Sequence, residues 1–401
     1  MSAVHAVATT TIPTEAELLE RARKLAPVLR ERAQRTEDAR QMLPETVADF
    51  VDAGFYRILQ PRKYGGYELP PMTLFRVVIE LAKGCPSSAW CLCLVTVHNW
   101  EASLMDPKAA EDLWGKDPDA RISSSYAPSG KITRVDGGFR LSGRWSWSSG
   151  ADHCSWVILG GIVPAAEGAT MPDVRAFLVK RPDYKVIDVW NVIGLKGTGS
   201  NDIVVENAFV PEHLTHQFAH SFMMTDPGRA TFTSRNYKYP FGVVFAYSLS
   251  IVTIGMAEGA LETFREDMKA RLAAYDGAKA MEDPFVRHRL AEAEAIVRGL
   301  RMRLETNFAE MDRLIDAGAE FPMALRVKNK WDAQWIAKEA QKAVELLFKA
   351  SGARGLKLES PMQRYFRDVH AASNHAFLNP DKGSLNAGLV ELGGNTSDYV
   401  L

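Results

Sequence analysis

Four short stretches combine side chains that simple packing does not require: VHNW around His98, SSSYAPSG from Ser123, WSWSSGADH from Trp145 to His153, and FRDVHAASNH from Phe366 to His375. Chemistry built from that set has an aromatic wall, hydroxyl donors and one or two imidazoles to hold a proton, with few carboxylates. Each stretch also has an ordinary reading. A histidine on an apolar helix, such as His98, is commonly a satisfied core residue. A run such as Ser123, Ser124 and Ser125 suits a strand edge or turn. Trp145 and Trp147 alternate as one face of a strand should, which by itself implies only core.

Metal ligation is disfavoured. His98 and His153 are far apart, and neither has a second histidine and a carboxylate at ligand spacing. His213, His216 and His220 have i, i+3, i+7 spacing on one possible helical face, and their place after Pro211-Glu212 reads as a solvated connector. No metal is assigned. GLKGTGSND, Gly194 to Asp202, has three glycines but neither the Walker order nor a strand-to-helix setting, and it enters a strand instead. Cys85, Cys91 and Cys93 in CPSSAWCLC match no zinc pattern and read as small hydrophobes in a helix.

The elements that must position these residues follow from periodicity. From Thr14 to about Trp114 apolar residues recur at three and four positions, the helical spacing. After Asp117 short β-branched and aromatic runs take over, with Asp136-Gly137-Gly138 as a hairpin signal, and they continue to about Pro211. Beyond Tyr237 three long helical stretches follow, the last closing at Ser351-Gly352, where glycine can supply a left-handed cap. The expected domains are 1–117, helical; 118–212, strand-rich; and 213–401, a helical bundle.

Composition sets the outer limits. The chain has 401 residues, with 48 Lys and Arg against 49 Asp and Glu, and no basic stripe to neutralise phosphates. Nucleic acid is therefore not an expected partner. No run reaches about 18 uninterrupted apolar residues, and the opening MSAVHAVATTTIPTEAE has no basic segment followed by a long apolar one. No membrane is expected, and the reading is a cytoplasmic protein.

This plan, with QPRKYGGYE, WSWSSG, GLKGTGSND and ARGLKLESPMQRYFRDVHAASNH, resembles the acyl-CoA dehydrogenase fold over nearly the whole chain. The resemblance implies a mainly α protein with a central β-domain: an N-terminal helical domain, a small β-barrel and a C-terminal four-helix bundle. Within that fold, SSSYAPSG, WSWSSGADHCSW, DVWNVIGLKGTGSN and FRDVHAASNH resemble the oxygenase components of two-component, flavin-dependent aromatic hydroxylases. Members acting on p-hydroxyphenylacetate are similar. Those acting on seco-steroid phenols look closer, through HNW, RISSSYAP and a segment like Tyr237-Lys238-Tyr239-Pro240. Many dehydrogenases of the fold carry a glutamate shortly after an Arg-Asp pair. Here Arg367-Asp368 leads instead to His375, Ala376 and Phe377, leaving no obvious base for an acyl thioester.

In such relatives a separate NAD(P)H-flavin reductase supplies reduced flavin, FMNH2 or FADH2, and O2 is the cosubstrate. The flavin C4a-hydroperoxide then attacks an activated ring. No NAD(P)H-binding fingerprint occurs in this chain, which agrees with a separate reductase. Carried over by motif, the resemblance assigns Trp147, Thr198, Ser200, Gln363 and Arg367 to the flavin, with either Ser148 or Ser149 near its reactive nitrogen. It assigns His375 as acceptor of the phenolic proton, Ser124 as hydrogen-bond partner of the same oxygen, and His98 as a second active-site histidine. A phenol facing an imidazole leaves the ground-state transfer uphill by roughly 4 to 5 kcal/mol, a gap the site must narrow.

Trp90, Tyr126, Tyr237, Lys238, Phe241 and Phe377 are the expected substrate-binding residues. Phe377 and Lys238 depart from the phenylacetate enzymes and favour a bulkier phenol. An indole or heteroatom acceptor, a dehydrogenase-like oxidoreductase and a catalytically idle flavin-binding protein are the competing readings. Relatives are homotetramers, and the apolar residues on more than one face of the segment from Trp331 to Phe348 agree with that expectation.

Overall fold

The computed structural model describes residues 12–164, 172–270, 272 and 279–401. The opening residues 1–11, read above for a leader, lie outside the described residues.

Helix α1, Glu15–Ala39, starts at a capping box: the Thr14 hydroxyl accepts from the Glu17 N–H at 3.3 Å, and the Glu17 carboxylate accepts from the Thr14 N–H at 2.7 Å. Four helices follow: α2 Pro44–Asp52, α3 Pro71–Ala82, α4 Pro86–Ala102 and α5 Pro107–Trp114. Each has proline at its first position, where the missing N–H costs no hydrogen bond. Every residue of α4 is buried. A helix so enclosed is apolar all round, and the polar residues it carries inward need partners there.

The strands are β1 Ile122–Ser125, β2 Lys131–Val135, β3 Gly138–Ser148, β4 Trp156–Val163, β5 Asp173–Lys180, β6 Tyr184–Ile187, β7 Asn201–Pro211 and β8 Thr215–Gln217. They form two four-stranded sheets, ordered β1-β4-β5-β8 and β2-β3-β7-β6. The sheets face one another: Trp145 of β3 donates its indole N–H to the Gly160 carbonyl of β4 at 2.8 Å, and Phe139 meets Phe177 edge to face at 5.3 Å. The expected barrel is thus built as two facing sheets. The hairpin turns at Asp136-Gly137, and Gly137 takes the φ of +74° that glycine tolerates best. Strand β8 pairs with β5, so strand structure runs past residue 212.

The expectation that Trp145 and Trp147 share a face fails for a local reason. The β3–β7 register shifts between Trp145 and Ser148, and Trp147 has a φ of +69°. The bulge re-aims the side chain. Trp145 is wholly buried while Trp147 is 67% exposed.

Helices α6 Phe218–Met223, α7 Phe241–Ala270, α8 Pro284–Asp316, α9 Met323–Ser351, α10 Pro361–Ser373 and α11 Pro380–Glu391 complete the chain. Helices α7 to α10 pack as a four-helix bundle. Helix α7 is long and apolar enough to cross a membrane, but its most apolar window is 94% buried among its neighbours, so here it is a core helix. Gly352 ends α9 with φ +60° as expected, but its ψ of −153° lies outside the left-handed helical region, in one open essentially to glycine alone. The second apolar face of α9 is covered within the chain: Phe348 stacks on Phe366 of α10 at 4.2 Å, and Trp331 packs against α11.

Candidate active site

Two polar clusters meet at α4. The first joins the end of β3 to the loop before β7. Trp90 of α4 donates its indole N–H to Ser149 Oγ at 3.2 Å. Ser149 Oγ lies 2.8 Å from Ser200 Oγ, which lies 2.7 Å from Thr198 Oγ1, and Thr198 donates to the Leu195 carbonyl at 3.0 Å. The Gly150 N–H and the Cys91 thiol both reach the Thr198 carbonyl, at 2.9 and 3.3 Å. WSWSSG and GTGSN are therefore one surface, although some fifty residues separate them. Beside this row Trp147 stands exposed, and the buried Ser148 hydroxyl has no partner among the described residues. An open indole next to a hydroxyl ladder and one unsatisfied buried hydroxyl fits a flat heterocycle with polar edges, as a flavin is.

The second cluster is aromatic. His375 does not lie on α10, which ends at Ser373; it caps the short turn Ala376–Leu378. Its ring is 5.9 Å from Trp90 and 6.1 Å from Phe377. Phe377 meets Phe245 of α7 edge to face at 5.0 Å, and Phe245 in turn packs on His98 at 5.9 Å and Tyr126 at 5.2 Å. The half-buried Ser124 hydroxyl is in hydrogen-bond reach of the Tyr126 phenol. Trp90, His375, Phe377, Phe245, His98, Tyr126 and Ser124 thus form one continuous wall.

Burial pushes the His375 imidazole down to about 4, so it is neutral at pH 7. Its Nδ1 accepts from the Phe377 N–H at 3.3 Å, which assigns the ring hydrogen to Nε2. In this geometry His375 offers a donor to the pocket, where the sequence reading expected a proton acceptor. His370 lies on α10, packs tilted against Phe366 and reaches Glu345 at 3.2 Å, away from the wall.

Several expected site residues lie elsewhere. Tyr237 is core: it packs on Phe232, and its hydroxyl reaches the Leu59 carbonyl at 3.4 Å. Lys238, next to it, points outward and is exposed. Phe241 forms a second layer, stacked on Phe245 and Trp100 rather than lining the wall. Arg367 uses its donors inside the chain, on Gln363 at 2.7 Å, the Ile193 carbonyl at 2.6 Å and Glu37 at 2.8 Å. Gln363 is held by the Leu358 carbonyl. These two clamp the loop before β7 against α10, where Gly194 passes so close to the Arg367 carbonyl that a Cβ would sit 2.2 Å from it.

Other residues were missed. Phe245, in the first turns of α7, is the hub of the wall, and nothing in that apolar first stretch of the helix distinguishes it. Glu101 is wholly buried, with its Oε2 beside Tyr126 and 3.3 Å from His98 Nδ1. Its signal was legible: one carboxylate three positions after His98 on an otherwise uncharged helix. The three connector histidines do not share a helix. His213 sits in a turn and bonds Asp112 at 2.7 Å, His220 is on α6, and His216 is on β8, wholly enclosed.

The comparisons with known proteins agree with this arrangement. Residues 13–103 match the acyl-CoA dehydrogenase N-terminal domain and residues 247–380 the acyl-CoA dehydrogenase C-terminal domain. The chain is 40% identical to the oxygenase subunit HsaA of a flavin-dependent monooxygenase from Rhodococcus jostii, over 96% of this chain and all of that one. It is 30% identical to the oxygenase component of an FADH2-dependent resorcinol hydroxylase from Rhizobium, over 94% of each chain. The crystal structure of 3-HSA hydroxylase from Rhodococcus superposes with a TM-score of 0.92 at 40% identity, covering 96% of this chain and 99% of that one. With fold, site and sequence in agreement, the chain belongs to the flavin-dependent monooxygenases of the acyl-CoA dehydrogenase fold, as an oxygenase component.

Proposed function

We propose that this oxygenase hydroxylates a bulky phenol, using reduced flavin delivered by a separate reductase. The observation that carries the reading is the continuous wall from Trp90 to Ser124: an apolar aromatic surface with an imidazole at each end, adjoining the Ser149, Ser200 and Thr198 hydroxyls. Reduced flavin, when bound, supplies the electrons that activate dioxygen.

The chain's own residues do the rest. Trp147, Ser148, Ser149, Ser200 and Thr198 would hold the flavin ring. Trp90, Phe245 and Phe377 exclude water and receive the substrate ring. His375, a donor in this geometry, and Ser124 would hold the phenolic oxygen, and His98 would meet the phenolic hydrogen. The expected flavin contacts from Gln363 and Arg367 are replaced by the loop clamp described above. Reduced FAD is the favoured form, because the resorcinol relative is FADH2-dependent. Leu385, Leu389 and Leu392 stay exposed on and just after α11, an apolar strip that supports assembly of copies of this chain, as in a homotetramer.

The test supplies photoreduced FAD or FMN anaerobically, then oxygen and a panel of phenols, aryl ethers, indoles and sulfides. Oxygen-18 incorporation is read by mass spectrometry. Phenols should gain one labelled ring oxygen. Labelling of indoles or sulfides alone would reject the phenol reading.

A further inference from the structure

Behind His98 lies a line of buried charges that the roles above leave unused. Glu101 Oε1 lies 2.9 Å from His216 Nδ1, and His216 Nε2 lies 3.0 Å from Asp226 Oδ1. Both ring nitrogens of His216 face carboxylate oxygens, so both carry hydrogen and the ring is an imidazolium. Asp226 also accepts from Ser221 Oγ at 2.7 Å and from Arg229 Nε at 2.5 Å. Two carboxylates alternate with two cations, and the line is neutral overall. That balance is what lets Glu101, wholly buried, stay ionised.

The other oxygen of Glu101 faces the site. Tyr126 donates its hydroxyl to Oε2, and His98 Nδ1 lies 3.3 Å from the same atom. A carboxylate has no hydrogen to give. The Tyr126 hydroxyl also lies 3.2 Å from Nδ1, but its one hydrogen goes to the nearer Oε2, so a bare Nδ1 would face only lone pairs; Nδ1 therefore carries the ring hydrogen, and in the neutral ring Nε2 is left bare. Nε2 is buried, and no group among the described residues pairs with it. His375 is in the opposite state, with Nδ1 accepting from the Phe377 N–H.

We propose that Glu101 is a positioning residue for substrate choice: backed by His216 and Asp226, it holds His98 as a hydrogen-bond acceptor, so that this end of the pocket selects a ligand hydroxyl. The proposal deepens the phenol reading and rests on it. A phenol donates its hydrogen to His98 Nε2, whereas an aryl ether has none to donate and leaves that nitrogen unsatisfied. Tyr126, whose hydroxyl is given to Glu101, is kept neutral.

The experiment has two arms. Affinities of the flavin-free protein for naphthol and its methyl ether are compared by tryptophan fluorescence, in wild type and in E101Q. Glutamine keeps the shape but loses the charge that fixes His98. The preference for naphthol over the ether should fall by roughly 5- to 10-fold, with ether affinity and flavin affinity unchanged. An equal loss for both ligands would make Glu101 merely structural and overturn the proposal. A wild type that binds both ligands equally would instead overturn the phenol reading. The second arm reads the His98 tautomer by nitrogen-15 NMR of histidine-labelled wild type, with H98Q giving the assignment. It decides even where E101Q does not fold. Hydrogen on Nδ1 with a bare Nε2 supports the proposal; hydrogen on Nε2, or an imidazolium, overturns it.

Discussion

Trp90 donates its indole N–H to Ser149 at 3.2 Å, tying the most enclosed helix of the N-terminal domain to the last turn of the β-domain's longest hairpin strand. That one bond joins the two clusters of the site, because the same indole packs against His375. Flavin surface and aromatic wall are therefore coupled through a side chain that belongs to both.

Ser149→Ala tests that joint. It leaves the Trp90 N–H without its partner and breaks the hydroxyl ladder at its first rung. Denaturant unfolding should show a loss of about 1 to 3 kcal/mol. The yield of hydroxylated product per flavin oxidised should drop more than the rate of flavin oxidation does. An unchanged yield would remove Ser149 from the flavin set.

His375→Ala should leave flavin reoxidation by oxygen intact and lower ring hydroxylation by about 100-fold or more. Since burial holds this imidazole near 4, wild-type hydroxylation should be flat through pH 6 to 8 and decline only as the ring charges on the acid side. A rate that titrates near 6.5 would contradict the enclosed geometry. Full hydroxylation by the variant at neutral pH would sink the role given to the residue.

His216 carries the opposite linkage. Burial opposes its charge, but hydrogen bonds and charge from Asp226 and Glu101 outweigh that and raise it to about 9. A histidine raised in the folded state contributes stability that is complete below its unfolded value of about 6.5 and is lost as pH rises through about 9. The contribution is of order 3 kcal/mol. Thermal unfolding from pH 6 to 10 should show this loss in wild type. H216Q should be destabilised at neutral pH by about 3 to 5 kcal/mol, because buried Glu101 loses its cation and Asp226 keeps only Arg229. A pH-independent difference between the two proteins would mean that His216 is neutral.

Lys238→Ala and Tyr237→Phe separate the wall from its surroundings. Lys238 is exposed, and Tyr237 packs on Phe232. Neither should change KM for a phenol by more than about twofold. Phe245→Ala, removing the hub ring, should destabilise the fold by about 3 to 5 kcal/mol and weaken substrate binding as well. A large KM effect at Lys238 would return that residue to the substrate site.

The order helices, strands, long helices could be read from periodicity because each element repeats its own spacing, 3.6 or 2, whatever it packs against. Polar motifs embedded in apolar or aromatic runs, WSWSSG and FRDVHAASNH among them, marked Ser149 and His375 for the same local reason. Local pattern could not show that Trp147 leaves the strand face, because a bulge depends on the register with β7. Nor could it separate Phe245 from Phe241 in the apolar opening turns of one helix, or show that Arg367 is occupied by Glu37, 330 positions away. The ionised line of Glu101, His216 and Asp226 exists only once α4, β8 and the segment after α6 are brought together. A single residue type does not determine whether a buried group is charged, tautomeric or bare; the neighbours that the fold delivers to it do.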